Sequence, residues 1–230
     1  MSFFRVIKGK NAWIFSGMII LTFFSIVMSI TFGPATITSN DIFQCVVNEC
    51  ASPMHDMVIW QIRIPRVLVG LVAGMGLACA GAILQNVTRN PLADPYLFGI
   101  ISGAGLGATI ATLILSEEQM LALPLAAFLG ALFSVIIVFG IATLLRNMNH
   151  LLLTGVAVSF MLGSISHFIL YLGDPFATNR VIFWLMGSLT RVEMFHFYLI
   201  SIMVLLTLVT IFAFHRQIDA LLLGDESAAS

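Results

Sequence analysis

Three places in this 230-residue chain set polar chemistry into an otherwise apolar sequence. The first is Arg63-Ile64-Pro65-Arg66, two arginines three residues apart. Guanidiniums grip carboxylates bidentately, so an outward pair makes a docking point for an acidic partner. The same pair can serve only to anchor a helix end at lipid headgroups, since arginine is costly deeper in a bilayer. The second place is Gln85-Asn86, followed by Arg89-Asn90-Pro91-Leu92-Ala93-Asp94-Pro95. Lipid cannot satisfy the backbone of such a proline-broken turn. It is either a gate whose polar groups point into a pathway or a membrane-surface loop whose asparagines cap helices. The third is His167, an ionisable group inside an apolar run and so a functional candidate. No acid or second histidine lies at helical spacing from it, which favours a neutral, hydrogen-bonded imidazole over a metal ligand. Ser164 and Ser166 lie nearby, but no Gly-x-Ser-x-Gly elbow accompanies them. The chain also lacks a P-loop, so it is not expected to bind ATP itself. Neither enzymatic activity, cofactor nor metal site is expected.

The elements that must hold these residues are membrane helices. The chain is 60% hydrophobic and 9% charged, with mean hydropathy +1.05. Soluble domains carry about 25% charged residues, which excludes an ordinary water-soluble core. The net charge of −1 gives no reason to expect a nucleic-acid partner. Six apolar runs read as spans, at about 12–32, 64–87, 96–115, 120–145, 151–172 and 192–214. The first follows Arg5, Lys8 and Lys10 as a signal peptide would, but it is long for one and reads as a retained span. The expected fold is all-α, a polytopic transmembrane helical bundle occupying residues 1–214. Residues 215–230 are polar and read as the start of a cytoplasmic element, as in a chain cut from a longer protein.

Glycines 70 and 74, and 99, 103 and 107, stand four apart. Small residues at that spacing let helix backbones approach, so Gly70, Gly74, Gly99, Gly103 and Gly107 are expected packing notches. Between 33 and 62 lies a polar linker, where Thr38-Ser39-Asn40-Asp41 is placed to cap a short helix from Ile42 to Val47. Cys45 and Cys50, five apart in that linker, can pair in an oxidising compartment or remain two thiols. Cys79, in an apolar helix, reads as a small packing residue. Residues 176–189, with Trp184, Met186 and Gly187, are too short to span. They form either an interfacial aromatic belt or a short re-entrant plug at the outer mouth. Arg5, Lys8, Lys10, Arg89, Arg146 and Arg216 fall on one side of the spans, and Arg63, Arg66, Arg180 and Arg191 on the other. That excess places the N-terminus in the cytoplasm.

Several motifs together resemble a known family: Arg63-x-Pro65-Arg66, Gly81–Gln85, Asn90-Pro91-Leu92-Ala93-x-Pro95, Gly99-Ile100 with Gly103-Ala104, Leu151-Leu152-Leu153-x-Gly155-Val156-Ala157, Trp184-x-Met186-Gly187-Ser188-Leu189 and Leu223-Gly224-Asp225-Glu226-x-Ala228. They resemble the FecCD/cobalamin-type permeases of bacterial ABC importers, which carry iron-siderophores, haem or cobalamin across the cytoplasmic membrane. The resemblance implies a multi-pass inner-membrane permease paired with a second permease subunit, either an identical copy or a sibling. It further implies an ATP-binding cassette ATPase below and a periplasmic substrate-binding protein outside. Arg63 and Arg66 would meet acidic patches of that binding protein. Gln85, Asn90 and Leu92 would form one inner gate, and the turn near Asn149 a second. Trp184, Met186 and Gly187 would cover the pathway. Leu223, Gly224, Asp225, Glu226 and Ala228 would open the coupling element that sits in the ATPase. Members usually carry ten spans, against six expected here. An iron-siderophore cargo is expected ahead of haem or cobalamin. The rival readings are a membrane enzyme or metal site built on His167 and Ser164, and a non-transporting membrane scaffold.

Overall fold

The computed structural model describes residues 12–35, 37–47, 50, 52–114, 121–145, 148–190 and 192–223. These residues are helical wherever the sequence is continuously apolar: α1 (Ala12–Thr31), α2 (Ser39–Val47), α3 (Pro53–Thr88), α4 (Ile100–Ile114), α5 (Ala122–Leu145), α6 (Met148–Leu172), α7 (Pro175–Leu185), α8 (Met194–Ala213) and α9 (His215–Leu223). The fold is an all-α polytopic membrane bundle. Among the described residues, five helices are long and apolar enough to cross a membrane, and the stretch Ile100–Leu113 is a shorter apolar helix.

Two compact units share the chain: Met1–Gly76 with Leu189–Thr207, and Leu77–Ser188 with Leu208–Ser230. In the first, Ile37, Cys45 and Ile59 are buried, with Ala35, Ile42, Cys50, Val58 and Ile64 packed against them. Cys45 and Cys50 are joined by a disulfide. Thr38 and Asp41 cap α2 reciprocally. The Asp41 carboxylate accepts from the Thr38 amide (2.9 Å) and hydroxyl (2.6 Å), and the Asp41 amide donates to the Thr38 hydroxyl (3.3 Å). The side-chain bond from Thr38, then the one from its amide, hold the Asp41 carboxyl below its ordinary value.

In the second unit, Phe98, Val138, Leu151, Val158 and Leu162 form the core, drawn from the turn before α4 and from α5 and α6. α4 and α5 cross at glycine. A Cβ built on Gly103 would overlap the Gly130 carbonyl and lie 2.7 Å from the Ser134 Cβ; one built on Gly107 would overlap the Ala126 carbonyl. Gly103 and Gly107 thus lie where the two helix backbones come close. Gly70 makes an ordinary contact with the Leu189 side chain (3.5 Å), whereas Gly74 has nothing within 4 Å among the described residues.

Three boundaries differ from expectation. α3 begins at Pro53, well before 64, because a π-helical turn at Met57–Arg63 carries the helix through Pro65. Proline lacks an N–H and would crowd the carbonyl four residues back; the wider turn accommodates both defects. The run expected as one span over 96–115 is split: Pro95–Phe98 is a 3-10 turn, Gly99 is left-handed (φ 71°), and the α-helix starts at Ile100. α6 begins at Met148, so Asn149 lies in its first turn instead of in a loop.

Candidate functional site

The polar turn between α3 and α4 is closed by its own hydrogen bonds. α3 ends in a Schellman motif, with the Asn90 amide donating to Gln85 O (3.1 Å) and the Arg89 amide to Asn86 O (3.2 Å). Arg89 takes the left-handed position (φ 50°) that glycine usually fills. The Asn90 side-chain carbonyl accepts from the Leu92 amide (2.9 Å), and Ala93 N donates to Asn90 O (3.0 Å). Asp94 caps the 3-10 turn by accepting from the Tyr96 amide (2.8 Å). The Asn90 side chain thus closes an Asx-turn and caps no helix, while Gln85 and Leu92 are exposed, Leu92 by 80%.

What seats this turn was not singled out beforehand. Ser159, on α6, has its hydroxyl 3.1 Å from Tyr96 O and 2.8 Å from Gly155 O. Gly155 leaves room for the Leu97 carbonyl, which a Cβ there would overlap. From α5, the Ser134 hydroxyl donates to Phe98 O (3.3 Å). Deeper in the unit, Thr109 and Ser166 share a buried hydroxyl–hydroxyl bond of 2.8 Å. A signal for the first set was present: Gly130…Ser134 and Gly155…Ser159 are both small pairs four apart.

The two arginines part company. Arg63 was expected at the surface, but it is buried (6% exposed). Its Nη1 donates to Ile30 O (2.6 Å) and Thr31 O (3.0 Å), and its Nη2 to Ala35 O (2.8 Å). It caps the C-terminal end of α1, where unpaired carbonyls carry the negative end of the helix dipole. Gly33 has no side chain because a Cβ there would lie 2.9 Å from Nη2. Arg66 is half-buried and donates from Nη2 to Thr190 O (2.8 Å). Of the expected docking pair, Arg63 is buried and Arg66 half-buried.

α7 starts at an Asp174 cap, whose carboxylate accepts from the Phe176 (2.9 Å) and Ala177 (3.1 Å) amides, and ends before left-handed Gly187 (φ 74°). Trp184 and Met186 are not buried by the described residues. His167 is exposed, and its Nδ1 lies 2.7 Å from Gly163 O. A carbonyl only accepts, so Nδ1 is the donor in this bond. Ser164 is exposed beside it. No metal-binding group of His, Cys, Asp and Glu exists among the described residues. Leu223 ends α9; Gly224, Asp225, Glu226 and Ala228 lie outside the described residues.

Known proteins share this arrangement. The model of the FecCD transport family matches residues 20–230. A Methanocaldococcus jannaschii protein named as an ABC transporter permease is 29% identical over 237 residues, covering 96% of this chain and 67% of that protein. The vitamin B12 import system permease protein BtuC of Citrobacter koseri is 31% identical over 188 residues, covering 81% of this chain and 54% of its own length. BtuC of Escherichia coli O157:H7 is 31% identical over 211 residues, with 91% and 62% covered. The chain thus spans roughly half to two-thirds of these curated relatives. A solved structure assigned to the metal-chelate type of ABC transporter, in an inward-facing conformation, superposes with a TM-score of 0.77. It is 24% identical and covers 95% of this chain and 67% of that one. With helices of this order, and a family match across nearly all of its length, the chain belongs to the FecCD transport family.

Proposed function

We propose that the chain is part of the permease subunit of an ABC importer that passes a metal chelate inward across the cytoplasmic membrane. The family match over residues 20–230 carries this reading, because it runs from α1 through the polar turn to α9 and beyond. A partner ATPase would supply the energy, a periplasmic binding protein the cargo, and a second permease subunit the other wall of the pathway. Residues 1–214 form the membrane domain and 215–230 the start of the coupling segment, with Leu223, Gly224, Asp225, Glu226 and Ala228 at its ATPase-facing end. Gln85, Asn90 and Leu92 form one inner gate and Asn149 marks a second. Trp184, Met186 and Gly187 sit over the outer mouth, and Arg66 meets the binding protein. The cargo is an iron-siderophore complex on the family resemblance. Cobalamin is the second reading, supported by the vitamin B12 relatives.

Recovery of the ATPase by the detergent-solubilised permease tests the importer reading. The intact chain should retain the ATPase encoded beside it, and a version cut before Gln217 should lose it. Equal recovery with both, or with neither when the complete gene product is used, would overturn the assignment.

The disulfide supports an outward-facing 33–62 linker, since such bonds persist in oxidising compartments. In intact spheroplasts, a membrane-impermeant maleimide should leave Cys45 and Cys50 unmodified until an impermeant reductant is added, and then label both. Labelling without reductant, or only after the cells are opened, would refute this orientation.

A further inference from the structure

We propose that the linker between α1 and α3 seats one phospholipid whose headgroup carries an ammonium, as an ethanolamine headgroup does. Asp56 and Trp60 hold the charged end, and the exposed edge of α2 lies along the apolar part. The seat requires the membrane bundle alone and is independent of the importer reading.

Arg63 and Arg66 set the height of the linker on the bilayer. Arginine is costly in hydrocarbon. The part of α3 that follows them, residues 67–88, is ~33 Å long and fills the ~30 Å hydrocarbon layer unaided. The first part of α3, residues 53–66, therefore stands in the headgroup layer. Arg63 holds the end of α1 at the same level through Ile30 O and Thr31 O. Trp60 comes three residues before Arg63, at the depth where indole rings gather.

A hollow of about 530 Å³ lies at this level, between the Cys45–Cys50 disulfide, Val46, Ser52, Asp56 and Trp60. The Asp56 carboxylate is 3.7 Å from Cys50 Sγ, but that sulfur is bonded to Cys45 Sγ and has no proton to give. Asp56 is exposed and meets no cation among the described residues. A carboxylate beside an indole suits an ammonium, one supplying charge and the other its ring quadrupole. Val46 belongs both to this hollow and to the free edge of α2. On that helix Cys45 turns into the core, while Phe43, Val46 and Val47 are each more than half exposed and Asn40 and Gln44 hold the polar flank. Phe32, directly after α1, is exposed in the same layer. The free edge thus continues the apolar surface that the bilayer already covers on α1. An apolar edge next to an acidic, aromatic hollow matches a zwitterionic lipid and opposes an anionic one.

The test uses the complete permease in nanodiscs holding equal amounts of phosphatidylethanolamine and phosphatidylglycerol of one chain length. Native mass spectrometry of the released protein reads which lipid is retained. A phosphatidylethanolamine with a diazirine beside its glycerol reads where it sits. The wild type should retain the ethanolamine lipid over the glycerol lipid about fivefold, and photolysis should label the chain between residues 37 and 63. Asp56→Asn and Trp60→Leu should each bring that preference to about twofold or less. Phe43→Asn with Val46→Asn should lower the labelling of the linker. An intact disulfide and unchanged protease resistance in each variant show that the linker remains folded. Equal retention of the two lipids by the wild type, or a preference that survives both Asp56→Asn and Trp60→Leu, overturns the proposal. So does displacement of the label by free phosphoethanolamine, which would make the hollow a site for a soluble amine. If the linker stays unlabelled and instead cross-links to a substrate-binding protein, the face belongs to that protein and the lipid seat is refuted.

Discussion

Replacing Gly103 with valine is expected to destabilise the protein strongly, the first of two substitutions with large expected effects. α4 and α5 meet there backbone to backbone: the added carbon would overlap the Gly130 carbonyl and come within 2.7 Å of the Ser134 Cβ. No flexible side-chain end is present to yield, so the helices themselves must separate. The cost should fall at or above the upper end of the ~1–3 kcal/mol typical of overpacking. Separation would also disturb Ser134, whose hydroxyl holds Phe98 O, and so loosen the polar turn. Gly140→Val, further along α5, is the control, because nothing lies within 4 Å of its Cβ position. Denaturation of the purified protein by SDS in mixed micelles should show a clear downward shift for the first and little for the second. Equal curves would mean that the α4–α5 contact is not as close as the glycines indicate.

Arg63→Met is the second. The side chain keeps much of its apolar bulk but leaves the carbonyls of Ile30, Thr31 and Ala35 without their donor. Hydrogen bonds to a charged group contribute ~1.5–3 kcal/mol each, and three sharing one guanidinium are not additive, so a loss of about 3 kcal/mol is expected. Lysine should rescue only in part, because one ammonium cannot match two guanidinium nitrogens spread over the α1 end and Ala35. Limited proteolysis offers a local readout beside the global one. Cleavage between Thr31 and Ile37 should rise in Arg63→Met before the rest of the chain becomes susceptible. Arg66→Ala should leave that cleavage unchanged. If Arg63→Met resists protease and denaturant like the wild type, the capping role is wrong.

These two predictions mark where sequence reading succeeded and where it stopped. Apolar length alone locates α1, α5 and α8 to within a few residues, because a bilayer demands continuous hydrophobicity. The glycines at 103 and 107 were legible for the same reason: close helix packing needs small residues at fixed spacing. Arg63 was not. Whether a guanidinium at a helix mouth faces outward or turns back onto a neighbour depends on where the end of α1 lies, and no spacing in the sequence encodes that. The start of α3 was misjudged because the span was begun after the polar linker, at 64, whereas the helix starts at Pro53 and runs through a π-turn at Met57–Arg63. Gly99 was read as a packing notch, and a Cβ there would overlap the Ser134 hydroxyl, but its left-handed backbone, which ends the 3-10 turn and divides what hydropathy shows as one run, was not foreseen. Ser134 and Ser159 escaped notice because serine in an apolar helix is unremarkable until a carbonyl is placed against it. Their spacing from Gly130 and Gly155 was the available clue.

The bond between Cys45 and Cys50 has a consequence for how the protein is made. Only five positions separate the two sulfurs, and Cys45 lies in α2, whose Thr38–Asp41 cap is made from local sequence alone. Closing so short a loop needs no docking of distant helices and little chain entropy. In the proposed orientation, the pair meets the oxidising side as soon as the first two spans are threaded through the bilayer, while the later helices are still being synthesised. The bond would then record that export of the linker had occurred, independently of whether the remaining bundle went on to assemble.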